Sequence, residues 1–198
     1  MPDPVAALIL LLAATRPEDA DREGPTLARR IKTGDRAAFR EFFDRHHGRL
    51  LGYVRSKGVP PEEAEDIVQN AFLYIWNHRD RIDPNQSLRA YLFRIGYTRA
   101  LNHRRDTAKF DDATEPQDAA ASDRRTPESD AMAADVRRQI DAAIAELPDR
   151  RRAVFELCVL QDLTYREAAD ALDITRKTVE NHMRLALRDL REALDDPR

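Results

Sequence analysis

Residues 164–190, TYREAADALDITRKTVENHMRLALRDL, leave this chain the fewest folding options. They read as two short helices joined by a tight turn. Thr164 and Glu167 have the S/T-x-x-E spacing of a capping box, in which each side chain satisfies a backbone N–H that the first helical turn leaves without a partner. Ala168, Ala169 and Leu172 follow as an apolar stripe, its alanines small enough to let another helix approach closely. Asp173 is the turn position, since Asp tolerates the left-handed backbone better than most residues do. Thr175 can cap the second helix.

The second helix separates its residues by chemistry. At the helical period, Val179, Met183, Ala186 and Leu190 fall on one narrow side. Lys177, Asn181, Arg184, Arg188 and Arg191 fall on the opposite side, joined at the start of the helix by Arg176 and Thr178. Cations suit phosphates and amides suit base edges, so this row matches what a helix–turn–helix presents to the DNA major groove. The competing explanation is a solvated charged face on an ordinary bundle helix. The capping box, the turn and the segregated faces together favour DNA.

Nothing elsewhere competes for a catalytic reading. The 198 residues allow one large or two small domains, and a charged fraction of 35% with scarce glycine points to a helical, cytoplasmic, water-soluble protein. The one cysteine, Cys158, sits in an apolar run, which excludes an internal disulfide framework and predicts a buried thiol. The five histidines form no metal-ligand spacing, and there is neither a Gly-rich phosphate loop nor a G-x-S-x-G elbow. The expectation is therefore no enzyme, no metal and no cofactor. The net charge of −3 hides an uneven distribution: −3 over residues 1–26, +7 over 27–105, −6 over 106–135, zero over 136–194 and −1 in the tail. A basic block and a locally basic helix separated by an acidic stretch is an arrangement of modules.

Taken in order, residues 5–14 are an apolar run too short to span a bilayer and lacking the positive flank of a signal peptide. A docking helix or a frayed extension are the two readings left open. From Asp35, residues Phe39, Phe42, Phe43, His46, Leu50, Tyr53 and Val54 share a helical face, which Gly58-Val59-Pro60-Pro61 ends. Pro61 suits the first position of the next helix, which buries Ala64, Ile67, Val68, Ala71, Phe72 and Ile75. Its other side carries Asp66, Gln69, Asn70 and Leu73, a row that an outward leucine marks as a candidate partner-binding face; Trp76 at the flank reads as core. A polar loop over 77–86, turning at Asp83-Pro84-Asn85, leads to a helix capped by Ser87. On that helix Leu88, Tyr91, Leu92 and Ile95 face one way, Phe93 and Tyr97 point elsewhere, and Asn102-His103-Arg104-Arg105 ends it. Aromatics interleaved with Arg94, Arg99, Arg104 and Arg105 suit single-stranded nucleic acid, while burial of both rings between helices is the equal alternative. Residues 106–134 are too poor in large apolar side chains to offset their ordering entropy and read as a flexible acidic linker. Beyond them Val136, Ile140, Ala143, Ile144 and Leu147 mark a helix stopped by Pro148, and 149–161 another, with Val154, Phe155, Leu157, Cys158 and Leu160 inside.

Three stretches, AEDIVQNAFLYIW (64–76), SLRAYLFRIGYTRALNHRR (87–105) and ELPDRRRAVFELCVLQDLTYREAADALDITRKTVENHMRLALRDL (146–190), together resemble a bacterial RNA polymerase sigma factor of the extracytoplasmic-function (ECF) group, in the sigma-70 family. The resemblance covers roughly residues 27–194. It implies an all-α chain with an N-terminal extension at 1–26, a polymerase-binding and −10-melting domain at 27–106, a linker at 107–134 and a helix–turn–helix domain at 135–194. It also implies roles. Asp66, Gln69, Asn70 and Leu73 would dock on core RNA polymerase. Tyr91, Arg94, Tyr97, Thr98, Asn102, Arg104 and Arg105 would act at the −10 element, and Arg176, Lys177, Thr178, Asn181, Arg184 and Arg188 at the −35 element. An anti-sigma factor binding between the domains would control it, without membrane insertion. Three positions depart from the family's usual pattern: Asn70 stands where an acid is common, Thr98 where Asn is, and Asp173 where a turn glycine is. The alternative is a free-standing helix–turn–helix regulator that acts as a dimer on a symmetric operator.

Overall fold

The computed structural model describes residues 24–110 and 129–195, all helices and their connections. The apolar run at 5–14 lies outside the described residues. So does the centre of the acidic linker, 111–128. The described residues divide into two compact units, one dominated by 24–110 and the other by 129–169 and 174–195.

In the first unit α1 spans Gly24–Lys32, α2 Arg36–Arg55, α3 Pro61–Asn77 and α4 Leu88–Phe110, with a short 3-10 turn at Arg79–Arg81 inside the expected loop. Each start has a local cause. Asp35 Oδ1 accepts from the N–H groups of Ala37 and Ala38, at 2.9 and 3.0 Å. Pro61 opens α3, where its missing N–H costs nothing. Ser87 Oγ accepts from Ala90 N–H at 3.1 Å. Between α2 and α3, Gly58 supplies the left-handed residue, φ +77°, that ends the preceding turn.

The core of this unit is aromatic. Phe39, Phe42 and Phe43 of α2 all meet Phe72 of α3, with ring centroids 6.3, 5.8 and 4.8 Å apart. His46 is buried beside Phe42, as its place on the α2 face implies. Trp76 packs half-buried on Phe39 under the Arg79 guanidinium. At Gly96 a Cβ would lie 2.6 Å from Leu50 Cδ1, so the absence of a side chain is what lets α4 approach α2 this closely.

The sequence left Phe93 open between nucleic acid and core, and it placed Tyr91 on the face of Leu88, Leu92 and Ile95. On α4, Phe93 is fully buried against Tyr53, ring centroids 5.6 Å apart, whereas Tyr91 is 39% exposed. The helix packs against α1, α2 and α3 at once, so its buried arc extends past a single stripe and takes in Ala90, Phe93 and Ala100. Phe93 is thereby core and Tyr91 surface. The helix also runs on to Phe110, past Arg105. The first helix, α1, had no sequence signal strong enough to read, yet it buries Leu27, Ala28 and Ile31, and Lys32 Nζ donates to the Ile82 carbonyl at 2.8 Å.

The second unit holds α5 (Ser129–Glu146), α6 (Asp149–Phe155), a π turn (Glu156–Leu160), α7 (Tyr165–Leu172) and α8 (Arg176–Asp195). α5 begins five residues before the expected end of the linker. Ala143, Ile144 and Leu147 are buried, and Pro148 separates α5 from α6 as expected. The π turn overturns one assignment: Val159 is buried and Leu160 is 45% exposed. Its wider ring, with Gln161 N–H bonded to Glu156 O at 3.0 Å, shifts the phase of the residues that follow. Cys158 is buried as expected, and burial together with the Glu167 charge pushes its thiol up to about 12.

Candidate nucleic-acid interface

α7 and α8 are set by the local bonds their residue types predict. Thr164 N–H donates to Glu167 Oε2 at 2.9 Å, and Glu167 N–H donates back to Thr164 Oγ1 at 3.2 Å. This reciprocal capping box fixes the entry of α7. Asp173 takes the left-handed backbone, φ +56°, while Ile174 N–H reaches the Ala169 carbonyl at 3.0 Å. Thr175 Oγ1 then accepts from Thr178 N–H at 3.1 Å and opens α8. The turn that usually takes glycine is made here by an aspartate.

Val179, Met183, Ala186 and Leu190 anchor α8 by its buried side. Each large apolar side chain so buried contributes about 1.5–3 kcal/mol, which holds the opposite side outward. α6 adds a polar clamp, because Asp189 accepts from Arg151 and, at 3.2 Å, from Arg188. Partial burial raises the Asp189 carboxyl, but these hydrogen bonds and charges outweigh it and hold it below its usual range.

On the outward side Arg176, Lys177, Asn181, Arg184 and Arg188 are all exposed, and Thr178 is half-exposed. The row is not a set of free cations. Arg176 Nε pairs with Glu180 Oε1 at 3.0 Å, Arg184 Nη2 donates to Asn181 Oδ1 at 3.1 Å, and Arg188 approaches Glu192 at 3.8 Å. Arginine has only donors, so its partner on Asn181 is the amide oxygen, and the amide N–H pair is left facing outward. Glu180, which the sequence reading passed over, is exposed beside this row, between Arg176 and Arg184; an acid among cations was the signal.

α4 in the first unit carries a second row. Tyr91, Arg94, Thr98, Asn102 and Arg105 are exposed and fall within a sector of about 80° at the helical period. Arg104 is exposed too, and Tyr97 half-buried; the same period puts them about 120° and 100° from the centre of that row. The seven residues therefore form two adjacent strips rather than one.

The α3 row is also intact. Asp66, Gln69 and Asn70 are exposed, and Leu73 is 54% exposed. Tyr74, which sequence reasoning missed, is 37% exposed, stacks on His78 with centroids 4.1 Å apart, and shares a hydrogen bond with Tyr91. Burial and that bond raise the Tyr91 hydroxyl above its ordinary value and keep it neutral. Tyr74 thus joins the α3 and α4 rows into one continuous surface. An outward aromatic directly after an outward leucine was its sequence trace.

Comparison with known proteins gives two family matches in chain order: sigma-70 region 2 over residues 42–110 and sigma-70 region 4 over 137–190. The RNA polymerase sigma factor CnrH of Cupriavidus metallidurans is 31% identical over 191 residues, covering 90% of this chain and 96% of that one. The solved CnrH, in complex with the cytosolic domain of CnrY, superposes with a TM-score of 0.63 at 29% identity, covering 88% and 99% of the two chains. The ECF RNA polymerase sigma factor RpoE of Cereibacter sphaeroides is 31% identical over 161 residues, covering 80% of this chain and 87% of that one.

Proposed function

Because the chain belongs to the ECF group of the sigma-70 RNA polymerase sigma factors, we propose that its two helical units divide the work of promoter recognition. The chain serves promoter-specific transcription initiation. In this reading the domain at 27–106 docks on core polymerase through Asp66, Gln69, Asn70 and Leu73. Its α4 surface, from Tyr91 to Arg105, holds the opened −10 strand, with exposed Tyr91 available for stacking and Arg94 and Arg105 for phosphates. The domain at 135–194 lays α8 in the major groove of the −35 element. The stretch at 107–134 links them, and its acidity keeps it away from DNA.

The observation that carries this reading is the polarity of α8: an apolar side locked into its unit, and a row of cations and an amide directly opposite. The chain itself makes no covalent bonds, so it is no enzyme; the polymerase does the chemistry, in the cytoplasm. Run-off transcription with purified core polymerase tests this. Adding the chain should turn initiation on templates from its own genome from absent to promoter-specific. Core polymerase that remains unchanged by the chain would overturn the reading, and tight binding of the chain alone to a symmetric site would favour the dimeric regulator.

Control follows from the same surfaces. CnrH has been solved with the cytosolic domain of CnrY bound to it, and the exposed Leu73–Tyr74 face of this chain needs cover when polymerase is absent. An anti-sigma factor supplies it. Affinity capture from uninduced cells should recover one such protein in a one-to-one complex; recovery of polymerase alone would place control elsewhere.

A further inference from the structure

Within the first nine residues of α8, RKTVENHMR, Glu180 is the only acid. At the helical period it lies between Arg176 and Arg184, about 40° from each, on the flank of the outward row of Lys177, Asn181, Arg184 and Arg188. Its carboxylate is half-exposed and tethered by Arg176 Nε at 3.0 Å. A negative charge at that place repels every phosphate that the neighbouring cations attract. For non-specific affinity it is therefore purely a cost.

The pair does little for the helix either. An exposed i,i+4 ion pair is worth a few tenths of a kcal/mol, and the order found here, cation before acid, is the weaker one. What the carboxylate adds is the one function its neighbours lack. Arg176, Lys177 and Arg184 have only donors. Asn181 has its oxygen engaged by Arg184, which leaves its donors outward. Glu180 is thus the acceptor in a row of donors. The base-edge group that matches a lone carboxylate in the major groove is the cytosine N4 amino group.

We propose that Glu180 is a specificity-determining residue that accepts a hydrogen bond from a cytosine amino group of the −35 element, with Arg176 holding its carboxylate in place. The proposal rests on the reading of α8 as the −35 recognition helix. Discrimination comes from both signs of the interaction: cytosine satisfies the carboxylate, whereas the acceptors of guanine and the oxygen of thymine oppose it.

The test uses holoenzyme reconstituted from core polymerase and the full chain, on a promoter library randomised across the −35 element. Wild type, Glu180→Gln and Glu180→Ala are compared, with helicity checked by circular dichroism. The wild type should prefer a C·G pair at one position. Glu180→Ala should lose that preference by on the order of tenfold, with the other positions keeping theirs and total DNA binding rising. Glu180→Gln, which keeps an acceptor but adds a donor, should relax the same position towards adenine. A uniform gain in binding with every preference unchanged would overturn the proposal while leaving the −35 reading standing. A wild-type holoenzyme indifferent to the −35 sequence would overturn both.

Discussion

Asn181 and Arg188 stand on the same exposed face, but their neighbours prepare them for different partners. Asn181 is in the first half of α8, the part that enters a major groove deepest, and it offers amide donors. Arg188 lies two turns on from Asn181 and is drawn towards Asp189 and Glu192. Asn181→Ala should therefore change which −35 sequences are used, at a cost of about 1–3 kcal/mol at one position. Arg188→Ala should weaken all promoters alike and lower the salt dependence by about one phosphate contact. Promoter libraries read with holoenzyme at two salt concentrations separate the two, and exchanged phenotypes would mean that α8 enters the groove the other way round. A second residue-scale expectation concerns Asp189. Its folded pKa lies below the ordinary 3.8, so its contribution is complete above that value and lost as pH falls through the lower folded one. Thermal melting of the chain should show an acid-dependent loss below about pH 4 that Asp189→Asn reduces; an unaltered pH profile in that variant would show the clamp to be inert. Residues of this kind were legible one at a time. Thr164, Asp173, Thr175 and Ser87 each do what a short side-chain oxygen or a left-handed turn demands, because capping is decided within four residues.

At the scale of whole helices the sequence is a weaker guide, and the places where it misleads have a common cause. On α4 the sequence grouped Tyr91 with Leu88, Leu92 and Ile95 and left Phe93 open between nucleic acid and core. Three neighbouring helices widen the buried arc, and only their arrangement reveals that. Leu160 was read as core because the period was counted as α-helical, whereas the π turn resets it from Glu156 onward. α1 is nine residues long, too short for a periodic signal, and its burial depends on contacts with distant segments. α3 posed less difficulty, since one side packs and the other does not, although Ile67, read as buried, is only half-buried at the edge of the packed side. That side yields the element-scale prediction. Leu73→Asp and Gln69→Ala should weaken binding to core polymerase, the first by tenfold or more if Leu73 is a central anchor, with helicity and melting temperature unchanged because neither residue packs in the core. Wild-type affinity in both variants, measured by fluorescence anisotropy with labelled chain, would remove this face from the docking surface.

For the molecule as a whole, two small units with modest DNA surfaces make sense only when something holds both on one promoter. A basic block of +7 and a locally basic helix in a segment of zero net charge should each bind DNA only weakly by themselves. Fixing both on polymerase converts the second contact into an intramolecular one and raises the joint affinity without a new bond. This is where sigma factor and free-standing regulator part most sharply. The direct measurement is a footprint on one cognate promoter, pairing nuclease protection with permanganate reactivity of unpaired thymines, for chain alone, core alone and both. The account predicts −35 protection and −10 permanganate reactivity only when both are present. Protection of a symmetric site by the chain alone, with core adding neither protection nor strand opening, would contradict it.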